Sequence, residues 1–255
     1  MNNFLFWRCL MDYNKASIAF ENYIKKYDLK NDKIKLKYKH TYQVAQISEL
    51  LVKSLNLSNE DIELAKIIGL LHDIGRFEQI KRFDNFKDKN FDHADYGIKI
   101  LFEDNLIKKF VLENKYDEII YNAIKHHNKI SIPNNLDERT SMFCKIIRDA
   151  DKIDIYRVLS REYEENFIET IDNKIINNFR LNKVINHDLI NNRTEKIILD
   201  FALIFDINYK QSFKILKDKN YLEDFINCIN VSDNNKNIFE EIVNSVRKVM
   251  EENLC

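Results

Sequence analysis

The stretch IIGLLHDIGR, residues 67–76, joins an apolar run directly to an adjacent histidine and aspartate. Upstream, Ser58 followed three residues later by Asp61 forms a capping-box pattern, which predicts a helix that begins at Ser58. The apolar run then places His72 and Asp73 at the end of the buried face of this helix. Because a buried carboxylate costs several kcal/mol unless a cation compensates it, Asp73 indicates a cation at this position.

The composition favours helices over sheets. The chain has three glycines and one proline among 255 residues, whereas a sheet protein of this size usually needs more turn residues. The same scarcity of glycine excludes the phosphate-binding loops of Walker and Rossmann proteins. Hydrophobic residues make up 45% of the chain and charged residues 32%, which is ordinary for a soluble protein with a real core. We therefore predict an all-α fold.

Periodic apolar residues predict a series of helices joined by polar segments. They span about residues 15–28, 38–55, 58–74, 93–105, 118–128 and 137–160, and more follow between 163 and 255 with breaks near 185–193, 217–221 and 231–235. Gly75 stands where the helix over 58–74 is expected to end in a left-handed turn, and a polar loop is predicted from Arg76 to Phe91. No run shows sustained alternation of apolar and polar residues, so the pattern leaves open at most one strand pair.

The charge balance and the cysteines indicate a soluble cytoplasmic protein. The formal net charge of -1 gives no argument for nucleic acid or an anionic membrane as a partner. The four cysteines are scattered without a CxxC pair, which is typical of a reducing compartment. The N-terminal stretch MNNFLFWRCLMDYNK has no basic leader before a long apolar run, and no stretch approaches the roughly 18 apolar residues of a membrane span. We therefore expect neither a signal peptide nor a membrane-spanning helix.

Five histidines and two aspartates lie on the apolar stripes of predicted helices. They are His40, His72, Asp73, His93, His126, His127 and Asp151. Seven such side chains are too many for one four-coordinate ion and favour two metal ions. The imidazole-rich set favours iron, manganese, cobalt, nickel or zinc over magnesium or calcium. Asp149, two residues before Asp151, is the alternative ligand if the helical register differs.

A lysine-rich stretch leads up to the first of these histidines. Its members are Lys25, Lys26, Lys30, Lys33, Lys35, Lys37 and Lys39. Such a run is usually a solvated face of the protein. The alternative interpretation is attraction of an anionic substrate, because the run ends beside His40.

The order of these residues resembles that of the HD superfamily of metal-dependent phosphohydrolases. The resemblance rests on His40, LLHDIG with His72 and Asp73, His93, the pair His126 and His127, and Asp151 in DADKID, and it covers about residues 35–160. It implies an all-α HD-domain helical bundle with additional C-terminal helices. We expect one domain over 1–255, with a metal-binding core at about 35–160 and a helical extension at about 163–255.

The resemblance also implies roles for the individual ligands. His40, His72, Asp73 and Asp151 correspond to the core ligands, with Asp73 as the bridging carboxylate, and His93, His126 and His127 correspond to the additional ligands of two-metal branches. No Gly-Tyr-Pro element follows the histidine pair, which argues against the cyclic-dinucleotide branch. Leu36 stands where three-metal members carry a glutamate, so two metal ions are expected rather than three.

The activity implied by the resemblance is hydrolysis of a phosphate mono- or diester, of a nucleotide in our interpretation, by a hydroxide that bridges two divalent transition-metal ions. Asp73, Arg76 and Lys152 are the predicted catalytic residues. Arg76, Lys152 and Arg148 are the cations expected to bind the phosphate of a small phosphorylated substrate. The oligomeric state is left open.

The same ligand set has two alternative functional interpretations. Some HD-fold proteins hold two irons that activate dioxygen, although they carry single histidines where this chain has a pair. A non-catalytic sensor that keeps its metal only for folding is the other alternative, and the complete ligand set argues against it.

Overall fold

A computed structural model describes residues 11–87, 91–162 and 164–254. Contacts divide the chain into two units, Met1–Ile147 and Arg148–Cys255, and the boundary falls inside a long helix. The α-helices that begin in the first unit are α1 (Tyr13–Ile24), α2 (Asp32–Ser54), α3 (Asn59–Leu71), α4 (Ile74–Phe83), α5 (His93–Ile98), α6 (Asp117–His126) and α7 (Glu138–Glu162). A π-helix spans Lys99–Glu103, and 3-10 helices span Leu106–Lys109 and Asn114–Tyr116.

The second unit contains five further α-helices and a small sheet in the part that the structure describes. The helices are α8 (Asn173–Arg180), α9 (Arg193–Ala202), α10 (Lys210–Asp218), α11 (Tyr221–Asn227) and α12 (Lys236–Leu254), and 3-10 helices span His187–Leu189, Leu203–Asp206 and Asp233–Asn235. Strands β1 (Glu165–Phe167) and β2 (Ile229–Val231) pair in parallel, with Glu165 opposite Ile229. The predicted all-α class is confirmed, and the strand pair that the pattern left open is present.

The start of α3 follows from the sequence pattern. Ser58 accepts a hydrogen bond from the backbone N–H of Asp61, and the Asp61 carboxylate accepts one from the backbone N–H of Ser58. This predicted capping box satisfies two donors that a helix N-terminus leaves open. Leu64, Ile68 and Leu71 of α3 are fully buried or nearly so, and α3 packs against α2.

Two expectations about the segment after α3 are wrong. Gly75 was expected to end a helix in a left-handed turn, but no described glycine has a positive φ, and Gly75 lies within α4. The expected loop from Arg76 to Phe91 is helical as far as Phe83. The reason is that Gly75 serves close packing: a Cβ atom there would lie 2.1 Å from the backbone oxygen of His93 and 2.8 Å from the backbone nitrogen of Gly97.

Close helix approach recurs on the other side of the same segment. A Cβ atom at Gly69 would lie 2.7 Å from Ala45 Cα, so α3 and α2 touch backbone to backbone. Glycine at residues 69 and 75 therefore lets α2 and α5 approach the α3–α4 junction from both sides. Neither residue is needed for an unusual backbone angle.

Helix length and polarity also bear on membrane association. None of the helices in the described ranges combines the length and the apolar character needed to cross a bilayer.

We expect Gly75→Ala to destabilise the protein by about 2–3 kcal/mol, because two backbone segments cannot yield to the new methyl group. Gly97→Ala is the matched control, since its nearest neighbours would be Ile74 Cγ2 at 3.4 Å and Gly75 N at 3.6 Å, which are ordinary contacts. That variant is expected to be neutral or stabilised by about 0.5–1 kcal/mol. Urea unfolding of both variants measures the difference, and equal free energies of unfolding would contradict the packing role of Gly75.

Candidate metal centre

Asp73 lies in the sharp turn between α3 and α4. Helix α3 ends at Leu71, His72 is its C-cap with its backbone N–H bonded to Ile68 O at 2.9 Å, and Asp73 is the residue before α4. The side chain of Asp73 is only 3% exposed. The apolar run that buries α3 therefore carries a carboxylate into the interior of the first unit.

Four imidazole groups surround this carboxylate. The Oδ1 atom lies 3.2 Å from His93 Nε2 and 3.7 Å from His127 Nε2. The Oδ2 atom lies 3.6 Å from the Nε2 atoms of both His40 and His72. All four histidines are buried, so the residues that the sequence placed on separate helices meet around one side chain.

Each histidine is delivered by a different feature of the fold. His40 lies in the middle of α2, and His72 is the C-cap of α3. His93 is the first residue of α5, where the Asp92 side chain caps the helix by accepting hydrogen bonds from two backbone N–H groups. His127 is the C-cap of α6. Helix ends therefore position three of the four histidines, and the interior of α2 positions the fourth.

Backbone carbonyl groups orient two of the imidazoles. His72 Nδ1 lies 2.8 Å from Gly69 O, and His127 Nδ1 lies 2.6 Å from Ile124 O. A carbonyl oxygen only accepts, so both Nδ1 atoms donate and both Nε2 atoms carry the lone pair in the neutral rings. This arrangement is the usual one for metal-binding histidines, in which the distal nitrogen is fixed by a carbonyl or carboxylate group.

The nitrogen spacing fits a metal ion. His93 Nε2 and His127 Nε2 are 3.0 Å apart. Two ligand atoms bound at about 2.0–2.1 Å to one ion, at right or tetrahedral angles, lie about 2.9–3.4 Å apart. One ligand atom from each of His72, Asp73 and His127 also lies within 4.8 Å of the other two. The imidazole and carboxylate groups present are therefore suited to a transition metal.

Electrostatics favour the ligand form of these groups. Burial by itself raises the pKa of Asp73, but the charge of Lys37, and then the interactions with His72, His127 and His93, hold this pKa well below its usual range. Burial, and then the neighbouring histidines, lower the pKa of His127 to about 4, although Asp73 opposes the shift. At neutral pH the carboxylate is thus ionised and His127 is neutral, the two states that bind metals.

Lys37 is a member of this centre that the sequence pattern did not single out. Its Nζ atom donates a hydrogen bond to Asp73 Oδ2 at 2.7 Å, and its side chain is 15% exposed. Among the lysines before His40, Lys37 lies three residues ahead of that histidine and therefore on the same helical face. That spacing was the available signal, and the general basicity of the stretch obscured it.

Arg76, predicted to bind substrate, also lies beside Asp73. Its Nε atom is 3.6 Å from Asp73 Oδ1. The same guanidinium group donates hydrogen bonds to Gln79 Oε1 at 2.7 Å and to Phe86 O at 3.0 Å. These contacts fix Arg76 next to the carboxylate and tie the segment after α4 to the centre.

The remaining predicted residue of the first unit is His126. It is the last residue of α6 and is partly exposed, immediately before the buried His127. Its role as a ligand stays a prediction from the order of the histidine pair.

In the second unit, Lys152 and Arg148 lie on α7 and share one carboxylate. Lys152 Nζ is 2.7 Å from Asp206 Oδ2, and Arg148 also bonds to this oxygen. Burial, followed by the charge of Arg148, lowers the pKa of Lys152. The three side chains carry a net charge of +1, and both basic residues are buried.

The two aspartates of α7 differ in their surroundings. Asp149 is fully buried and accepts hydrogen bonds from the backbone N–H groups of Asn208 and Tyr209, from the Asn208 side chain, and from the hydroxyl of Ser212 at 2.6 Å. It therefore caps the segment that leads into α10. Asp151 is partly exposed. The occupied carboxylate of Asp149 argues against its use as the alternative ligand.

Comparison with known proteins identifies a family match over the part of the chain that contains the predicted metal ligands. Residues 38–156 match the model of the HD domain family, and this range contains all seven predicted ligands. No solved structure matches the chain.

Among curated proteins, the chain is similar to ribonuclease Y of several bacteria. Identity is 30% over 135 residues for Oceanobacillus iheyensis, 31% over 136 for Enterococcus faecalis and 28% over 143 for Acetivibrio thermocellus. These alignments cover 52%, 52% and 55% of this chain but 21%, 21% and 22% of the relatives. The chain thus spans about a fifth of the length of the relatives that it matches.

We expect the metal-free protein to lose stability as the pH falls from about 6.5 towards 4. The pKa of His127 is about 4 in the folded protein, whereas an unfolded histidine titrates near 6.5. Between these values the unfolded chain binds a proton that the folded protein does not, so the free energy of unfolding falls with pH by about 2 kcal/mol. Urea unfolding at pH 7 and pH 4.5 measures this change. His127→Gln, which does not titrate, should show a clearly smaller slope, and an unchanged slope would contradict this assignment.

Proposed function

We propose that this protein, whose residues 38–156 match the HD domain family, is a metal-dependent phosphohydrolase that cleaves a phosphate mono- or diester of a nucleotide. The observation that carries the proposal is the ionised, buried Asp73 carboxylate with four imidazole Nε2 atoms 3.2–3.7 Å from its oxygens. Members of the HD family are typically hydrolytic. A small phosphorylated substrate and a cytoplasmic location are parts of the same proposal.

The proposed centre holds two divalent transition-metal ions, of iron, manganese, cobalt, nickel or zinc. The proposed ligands are His40, His72, Asp73, His93, His126, His127 and Asp151, with Asp73 as the bridging residue. The contacts around Asp73 support five of these assignments. Those of His126 and Asp151 rest on the order of residues along the chain.

Bound ions of this kind supply a water molecule of lowered pKa and positive charge for the phosphoryl oxygens. The chain itself supplies orientation. Gly69 O and Ile124 O hold His72 and His127 with their Nε2 atoms towards Asp73. Arg76, fixed beside Asp73 by Gln79 and Phe86 O, is the proposed cation for a non-bridging phosphoryl oxygen.

Lys152 and Arg148 are proposed as further phosphate-binding residues. Both basic side chains are buried and share the Asp206 carboxylate, and this pairing of two basic groups with one acidic group supports the proposal of an anionic ligand. This part of the proposal is independent of Arg76, which lies in the other unit of the chain.

The substrate class follows from the family and the relatives. Ribonuclease Y is named for action on RNA, and the shared region is the HD domain. We therefore include short RNA oligonucleotides in the test panel, together with mononucleotides, dinucleotides and cyclic dinucleotides. Iron-specific activity with oxygen uptake would instead favour the di-iron oxygenase, and metal-dependent folding without any hydrolysis would favour the sensor.

We expect the metal-loaded protein to hydrolyse at least one compound of this panel and to contain about two transition-metal ions per chain. Asp73→Asn should lower the rate at least about a hundredfold, because it removes the charge of the proposed bridging ligand. Phosphate release and elemental analysis measure the two quantities. A fully loaded protein that is inert towards the whole panel would refute the proposed activity.

The two aspartates of α7 offer a matched pair for the ligand assignment. We expect Asp151→Asn to reduce the bound metal while leaving the melting temperature of the metal-free protein within about 2 °C. Asp149→Asn should lower the free energy of unfolding by about 1–3 kcal/mol, because it weakens the hydrogen bonds to Asn208 and Ser212. The melting temperature of the metal-free protein should therefore fall. Metal content per folded chain should stay unchanged in this variant. The opposite pattern would make Asp149 the ligand.

A further inference from the structure

The Lys37 ammonium group contacts Asp73 Oδ2, the oxygen that also lies 3.6 Å from the Nε2 atoms of His40 and His72. We propose that Lys37 is a resident cation of the centre, which a metal ion displaces on binding and which then contacts a phosphoryl oxygen of the substrate. The second half of this inference rests on the proposed function, whereas the first half concerns metal binding alone. The carrying observation is the 2.7 Å contact between Lys37 Nζ and Asp73 Oδ2.

The competition follows from the atoms around one oxygen. Asp73 Oδ2 faces Lys37 Nζ at 2.7 Å, and the Nε2 atoms of His40 and His72 at 3.6 Å. A metal ion bound by this oxygen and an imidazole takes a lone pair of the oxygen at about 2.0–2.2 Å. An ammonium group has no lone pair to donate, and its charge repels the ion. Because the two positive charges would lie close together at the same oxygen, we infer that the metal ion and the ammonium group compete for it.

The Lys37 side chain can leave Asp73 while the backbone of α2 stays in place. Its helix α2 is fixed by buried residues, including His40 one turn later, so the backbone stays in place. The side chain has a flexible four-carbon stem and is partly exposed. Its Nζ atom also lies 5.7 Å from the centre of the Phe86 ring, which offers a favourable surface for a cation that has left Asp73.

The neighbouring cation, Arg76, is less suited to this exchange. Its guanidinium group is held by Gln79 Oε1 and Phe86 O, and its Nε atom stays 3.6 Å from the other carboxylate oxygen, Oδ1. Lys37 and Arg76 thus approach Asp73 at different oxygens, and of the two only Arg76 is shown here with further hydrogen bonds, to Gln79 and Phe86. Once displaced, Lys37 remains within reach of an anion bound at the metal ions.

The test compares three variants of the 255-residue chain after metal removal. Lys37→Gln keeps a hydrogen-bond donor for Asp73 but removes the charge, and Lys37→Arg keeps the charge. Lys35→Gln removes an exposed lysine from the same helix and controls for long-range charge. Calorimetry measures the binding of Mn²⁺ alone, and then of inorganic phosphate to the Mn²⁺-loaded protein. Circular dichroism confirms that each variant is folded.

We expect Lys37→Gln to bind Mn²⁺ about tenfold more tightly, and inorganic phosphate about tenfold more weakly, than the wild-type protein. Lys37→Arg and Lys35→Gln should stay within about twofold in both measurements. Unchanged or weaker Mn²⁺ binding by Lys37→Gln would overturn the competition, as would equal tightening in Lys37→Arg or Lys35→Gln. Unchanged phosphate binding would overturn the phosphoryl contact.

The result is separable from that of the activity screen. Tighter Mn²⁺ binding by Lys37→Gln in a protein that hydrolyses nothing would support the resident cation and refute the hydrolase. Hydrolysis by the wild-type protein, together with an unchanged Mn²⁺ affinity of Lys37→Gln, would support the hydrolase and refute the resident cation. If Lys37→Gln does not fold, Lys37→Met is the second neutral variant: tighter Mn²⁺ binding by it supports the proposal, and unchanged or weaker binding overturns it.

Discussion

The compensation of one buried negative charge governs the first unit of this protein. Asp73 is ionised at the turn between two buried helices, and an uncompensated carboxylate in such a place would cost several kcal/mol. The cations Lys37 and Arg76 lie beside this carboxylate, and the Nε2 atoms of four histidines surround it. Helices α2, α3, α5 and α6 each deliver at least one of them. The same arrangement that satisfies the charge therefore also fixes the packing of the helices.

Glycine makes this convergence possible. The α3–α4 junction carries Gly69 on one side, against Ala45 of α2, and Gly75 on the other, against the backbone of His93. Side chains at either position would push α2 or α5 away and lengthen the distances between His40 or His93 and Asp73. The spacing of three positions from Gly69 to His72 also allows the hydrogen bond from His72 Nδ1 to Gly69 O. The apolar run buries the α3–α4 junction, its glycines let α2 and α5 come close, and its His72 and Asp73 are then near the histidines of those helices.

Much of this was predictable from residue patterns, and the limits have physical causes. Polar residues that continue apolar stripes identified Asp73 and the four histidines now found around it, since burial without compensation is costly. Helix α4 was not predicted because a glycine such as Gly75 is compatible both with a helix end and with close helix packing. The two cases differ only in whether another backbone segment lies against the glycine, which the sequence does not show. Lys37 was obscured because one lysine among seven has no distinguishing composition.

Helical geometry explains why the neighbouring aspartates of α7 cannot share one role. Residues two positions apart on an α-helix point about 200° apart around its axis, since each residue turns by about 100°. Asp149 accepts hydrogen bonds from Asn208 and Ser212 and so caps the segment that leads into α10. Asp151 must therefore point to the opposite side of α7, and its partial exposure fits that direction. Arg148 and Lys152, four residues apart, fall on a common face and meet at Asp206, a partner over fifty residues away that no local pattern reveals.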